Sequence, residues 1–179
     1  MSIYKREMSE RGFTLIELLI VLAIVGLIAG VAMAQYRTVR VRGNEVAAIA
    51  ALHAIGQAQF AFAQSCGNQR YAPTLVALGT PMPTTGNAFL SPDMTVADPL
   101  VKSGYTFVLG GTAVTDNGLT CTGVTPVASY QVSADPVNPG ISGMRFFGTN
   151  TDKAIFEDTA TFAGNMPETG NPGHGIELR

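Results

Sequence analysis

Residues 11–34 read RGFTLIELLIVLAIVGLIAGVAMA, and this stretch decides how the rest of the 179-residue chain is read. From Phe13 to Ala34 the only ionisable side chain is Glu17. At about 1.5 Å per residue the run makes a helix of roughly 33 Å, long enough to cross the hydrocarbon core of a bilayer. Lys5, Arg6 and Arg11 precede it, and Arg37, Arg40 and Arg42 follow it. Three readings of the N-terminal part stand side by side. A secretory signal peptide is supported by the basic start and by Ala32-Met33-Ala34, which has the spacing of a cleavage site; a permanent anchor and a short leader followed by an anchoring helix are the alternatives. The run is longer than the usual 7 to 15 apolar residues of a signal peptide. A carboxylate inside an apolar helix also costs up to about 3 kcal/mol on insertion, less near an end, so Glu17 calls for a partner.

The order Arg11, Gly12, Phe13, Thr14, Leu15, Ile16, Glu17, Leu18, Leu19 resembles the processing motif of type IV pilins and the related type II secretion pseudopilins. The features that match are a short charged leader, a Gly before a Phe, a Glu five residues into the processed chain and an unbroken apolar helix behind it. The resemblance runs from Arg11 to about Ala63. It implies that a prepilin peptidase cuts between Gly12 and Phe13 and methylates the new amine of Phe13. It implies further that Glu17 pairs with the N-terminal amine of a neighbouring subunit during assembly. Met8 is an alternative start to Met1. Gly26 and Gly30 have the small-xxx-small spacing that permits close helix packing in lipid, and each lowers helix propensity by about 1 kcal/mol relative to Ala. The resemblance implies local loosening of the helix on assembly, which is expected to start at these glycines.

The expected organisation is a leader over 1–12, a transmembrane or filament-core helix over 13–34, an amphipathic continuation over 35–63 and a globular head over 64–179. Val39, Val46, Ile49, Leu52, Ile55 and Ala63 recur at helical spacing, with Arg42, Glu45, Gln57 and Gln59 expected on the polar face. Ser65, Cys66, Gly67 and Asn68 form a stop signal, with Gly67 or Asn68 suited to a left-handed cap. A Pro- and Gly-rich connection with a helical turn at Thr74 to Leu78 follows. Strands are expected at Tyr105 to Leu109, Ser129 to Ala134, Met144 to Gly148 and Lys153 to Glu157, with turns at Asp116-Asn117-Gly118 and Asn150-Thr151-Asp152. The tail from Gly164 to Arg179 reads as disordered or as a loop over the sheet. The fold class is α+β, a long helix packed against a small antiparallel sheet, which is also the plan of the pilin family.

Enzymatic chemistry has little to stand on. His53 and His174 are the only histidines, neither with metal-ligand spacing, and no nucleophile motif is present. Asp135, Asp152, Glu157 and Asp158 could bind calcium if loops gathered them, but they lack EF-hand-like spacing and are read as solvated turn carboxylates. Some pseudopilins hold calcium in a C-terminal loop, but the Asp-Pro-Trp-type segment that accompanies it is absent, and the chain has no Trp. No cofactor is expected. Beyond Gln64 nine acidic positions face five basic ones, so no specific nucleic acid is expected as a partner. Cys66 and Cys121 are the only cysteines. They are expected as one disulfide if the head is extracytoplasmic and as two buried thiols if it is cytosolic.

The resemblance thus implies a pilus subunit held in the bacterial inner membrane, leader inside and head in the periplasm, before it joins a surface filament. Its partners would be identical or related subunits, the peptidase, an inner-membrane assembly platform and lipid. A pseudopilin of a periplasmic export piston is one alternative. A binding domain carried by a conventional signal peptide or anchor is another, and the mature N-terminus tells these apart.

Overall fold

The computed structural model describes residues 12–115 and 118–178. Residues 1–11 of the leader, with both candidate start residues and Arg11, and the Asp116-Asn117 part of the expected turn lie outside the described residues, as do the side chains of Met33 and Ala34. One long helix, α1 (Leu15–Ser65), is followed by a short helix α2 (Leu75–Leu78), a 3-10 turn (Pro92–Met94) and six strands. The strands are β1 (Leu100–Lys102), β2 (Tyr105–Gly110), β3 (Gln131–Pro136), β4 (Phe146–Asn150), β5 (Ile155–Asp158) and β6 (Ile176–Glu177). They form one antiparallel meander in the order β1-β2-β3-β4-β5-β6. The architecture is the expected α+β, pilin-like one. The chain divides into two compact units between Thr38 and Val39, and each is described by itself.

In the second unit, alternation along the strands gives the sheet two different faces. Tyr105, Phe107, Leu109, Val132, Ala134, Phe147 and Ile155 enter a core with Ala48, Leu52, Ile55 and Phe62 of α1. On the opposite face Phe156 packs with Phe162 and Met166 in a separate small cluster. Gly148 is required there: a Cβ would stand 2.8 Å from the Met166 sulfur and 3.0 Å from the Phe162 ring. The residues after β5 are therefore an ordered strap, the loop over the sheet that is one of the two expected readings, and the short strand at its end is the part not expected. Asn150, fully buried, donates from Nδ2 to the carbonyls of Pro167 (3.1 Å) and Gly170 (2.7 Å). Glu168 accepts from the hydroxyls of Thr112 and Ser129, and the strap ends as β6, an edge strand paired to β5.

The helix phase differs from the expected one. Val39 and Val46 are exposed, whereas Glu45 (5% exposed) and Gln59 (0%) lie on the buried stripe with Ala48, Leu52, Ile55, Phe62 and Cys66. Both polar groups are buried because each has a full set of partners. Gln59 clasps the backbone of Ala72, donating from Nε2 to its carbonyl (2.9 Å) and accepting its N–H at Oε1 (2.8 Å). Glu45 is taken up by the β3–β4 loop. Its Oε1 accepts the backbone N–H groups of Met144 (2.9 Å) and Arg145 (3.3 Å), and its Oε2 accepts Arg145 Nε (3.0 Å) and Nη2 (2.8 Å). Arg145 is also paired with Glu157 of β5 and lies 5.4 Å from the centroid of the Phe147 ring.

Strand boundaries move by one or two residues toward the C-terminus at β3, β4 and β5, and β1 and β6, both very short, carry no alternation to read. At the end of α1, Asn68 takes the left-handed conformation (φ 51°), and Gly67 is needed for a different reason: a Cβ there would stand 1.9 Å from the Arg70 carbonyl oxygen. The expected turn at Thr74 to Leu78 is α2, capped by the Thr74 hydroxyl accepting from Ala77 N–H.

Tyr130 offers a clean test of this packing. Its ring is buried edge-on to Tyr71, burial pushes its phenol well above the ordinary range, and its hydroxyl has no hydrogen-bond partner among the described residues. An unpaired buried hydroxyl costs stability, so Tyr130→Phe should leave the protein as stable or more stable by up to about 1 kcal/mol. Thermal melting of the detergent-solubilised full chain checks this; a clear loss of stability would show that the hydroxyl is bonded after all.

Candidate processing and assembly site

Helix α1 starts on a polar signal that the apolar pattern masks. The Thr14 hydroxyl accepts the backbone N–H of Glu17 (3.3 Å), and the Thr14 carbonyl accepts that of Leu18 (3.2 Å). Thr14 thus occupies the N-cap position, with Glu17 three residues later, which is the Thr-x-x-Glu pattern of a capping box. That spacing is legible in the sequence. A carboxylate in the first turn also faces the positive end of the helix dipole. Glu17 is exposed, and no ion pair or side-chain hydrogen bond reaches its carboxylate among the described residues.

Phe13 is 78% exposed, and a Cβ placed on Gly12 would meet nothing within 4 Å. Packing within the chain therefore does not require glycine at position 12. The same holds for Gly26 and Gly30, each with open space where a side chain would go. From Leu15 to Ala32, 18 residues run without one buried position. An uncovered apolar surface of this length, about 27 Å, is stable in lipid or against other helices and not in water. By composition Gln35–Ser65 would also suit a membrane, but 44% of an 18-residue window within it is buried, because the core already described covers its apolar stripe.

Residues 8–33 match the family model of the prokaryotic N-terminal methylation motif. The chain carries the prepilin signature. The matched segment contains Gly12, Phe13 and Glu17. No curated protein and no solved structure matches the chain significantly.

The remaining candidates are dispersed. Cys66 and Cys121 are joined by a disulfide with Cα atoms 4.8 Å apart, tying the end of α1 to the segment before β3. His53 is exposed on α1. His174 lies with Nδ1 2.6 Å from Asp158 and its ring stacked on Phe162 at 4.8 Å. Asp135 accepts from the Thr161 hydroxyl, Asp152 from the Gly170 N–H (2.6 Å), and Glu157 is paired with Arg145. Among the described residues no three His, Cys, Asp or Glu side chains come together in a metal-binding group.

Proposed function

We propose that this chain is the precursor of a pilus subunit, cut between Gly12 and Phe13, methylated on Phe13 and polymerised through α1. The observation that carries the proposal is the bare apolar helix whose one charge, Glu17, stands five residues past the proposed cut. In this reading residues 1–12 are the leader, 13–34 the membrane and filament-core segment, 35–63 the amphipathic half and 64–179 the head. The subunit waits in the inner membrane with its head outside, and passes from lipid to sister helices under an assembly platform. Glu17 sets the register. Once the leader is removed, an ammonium at Phe13 of one copy and the carboxylate of another attract strongly in low dielectric, and either left alone is penalised. The role is structural and requires no catalytic group or cofactor.

Mass spectrometry of the mature chain should find it starting at methylated Phe13; a start at Met1, Met8 or Gln35 would overturn the proposal. Gly12→Ala should accumulate uncut precursor. Glu17→Gln is the sharper variant, because the Thr14 hydroxyl accepts the backbone N–H of residue 17, which glutamine keeps, so the helix start stays intact. It should be cut normally yet give filaments at about a tenth of the native yield or less, the loss expected when a charge pair in low dielectric is broken. Native filament yield from Glu17→Gln would remove the pairing role.

A further inference from the structure

Three segments meet at one end of the head. Asn44 of α1 donates from Nδ2 to the Ser142 carbonyl (2.8 Å), and a Cβ on Gly104, in the β1–β2 hairpin, would stand 2.9 Å from both Asn44 Nδ2 and Ser142 Cβ. Glu45 fixes the same loop through the Met144 and Arg145 N–H groups. This anchorage holds the β3–β4 loop in a set shape, and that loop presents Ile141 (75% exposed), Met144 (60%) and Val137 to solvent. Such apolar side chains on a well-fastened loop are not explained by the core of the head. Arg40 lies one helical turn before Asn44 on the same face, and Arg42 is close in sequence. Both arginines are exposed, and no ion pair reaches either among the described residues. Arg145, by contrast, is fully engaged by Glu45 and Glu157.

We infer that this end of the head is a lipid-contacting surface, in which Ile141, Met144 and Val137 enter the headgroup region of an anionic bilayer while Arg40 and Arg42 meet its phosphates. Apolar wedges beside unpaired guanidinium groups are the chemistry of an interfacial membrane contact. The free cations select an anionic lipid surface over a neutral protein face. Chain length permits it: only twelve residues separate Ala32, the end of the uncovered apolar stretch, from Asn44, so the two cannot lie more than about 43 Å apart even with the chain fully extended. The inference rests on the reading of Leu15–Ala32 as a membrane span. It adds that the waiting subunit is held at the membrane by its head as well as by its helix, so release of this loop belongs to the step that takes the subunit into the filament.

The test uses the full chain, with its native disulfide, in nanodiscs of phosphatidylethanolamine and phosphatidylglycerol. An environment-sensitive fluorophore is attached to a single added cysteine, and quenching by spin-labelled lipid is read at three positions. Ile24→Cys reports the span, Ile141→Cys the loop, and Leu119→Cys, near the Cys66–Cys121 end of the head, serves as the aqueous reference. Quenching at 141 should be about threefold that at 119, and Arg40→Gln with Arg42→Gln should reduce it about twofold. Strong quenching at 24 with no excess at 141 over 119 overturns the inference alone. Absence of quenching at 24 overturns the spanning reading and the inference with it. Protection at 141 that depends on protein density and not on lipid charge assigns the surface to a second copy and overturns the inference.

Discussion

Glu45→Ala should lower the stability of the head by about 3 kcal/mol, roughly 5 to 10 °C in melting temperature for a unit of this size, while Glu45→Gln should lose about half as much. The larger loss has two sources. Alanine leaves the Met144 and Arg145 N–H groups without an acceptor, a penalty of about 1 to 3 kcal/mol, and it opens a space in the stripe between α1 and β4. The charge itself adds less, because the Arg145 side chain is 39% exposed and keeps Glu157 as a partner. Glutamine can still accept from the backbone, so it isolates the charge. The pH profile follows from the carboxyl's environment. Burial alone would raise its pKa, but the Met144 N–H and the Arg145 guanidinium outweigh burial and hold it below the usual carboxylate range. A group whose folded pKa is depressed contributes stability above its unfolded pKa and loses it as pH falls through the folded value. The gap between native and Glu45→Gln proteins should therefore be full at neutral pH and close below about pH 4. Glu168 acts in the same direction: the Ser129 and Thr112 hydroxyls overcome burial and lower its pKa. Asp98 acts against both, since burial raises its pKa. A gap that widened in acid would sink this account.

Replacing Cys66 and Cys121 together by Ala should cost still more, on the order of 4 kcal/mol, because the bond closes a 55-residue separation in the unfolded chain. The bond joins the last turn of α1 to the segment before β3, and the Cys121 N–H also donates to the Cys66 carbonyl (3.0 Å), so the backbone contact survives the substitution. The loss should then appear mainly as easier unfolding of an otherwise native head. Denaturant titration of the full chain with and without a reductant measures it. A reductant that leaves the native protein as stable as before would show that the disulfide contributes little.

The N-terminal helix is legible in the sequence because its signals are local. Gly12, Phe13 and Glu17 stand close together in the chain, and an unbroken apolar run needs no tertiary information to be read. The two-fold alternation at Tyr105, Phe107 and Leu109 likewise marks β2 from the residues alone. What stays hidden depends on partners far away in sequence. Glu45 and Gln59 look like surface residues because their acceptors and donors lie on Met144, Arg145 and Ala72. Val46 looks like core because an apolar residue at helical spacing says nothing about which stripe the sheet covers. Arg145 is likewise invisible as a link, since it bridges a helix and a strand that the sequence separates. For the tail from Gly164 to Arg179 the residues leave disorder and a loop over the sheet both open, because Gly, Pro and Asn lack regular periodicity. Its order comes from single contacts, Asn150 above all. Thr14 escapes notice for a plainer reason: its Thr-x-x-Glu spacing is overshadowed by the apolar run behind it.

The strap also imposes a timetable on synthesis. Phe162, Met166, Pro167 and Gly170 come after the whole of β1 to β5 in the chain, yet they cover Gly148, Phe156 and the amide of Asn150. Until they have left the ribosome, one side of the sheet is bare and the Asn150 side-chain amide lacks the two carbonyls it donates to. A polypeptide interrupted before that point would present an open greasy surface to proteases and chaperones. Completion of the head is thereby made a condition of its survival.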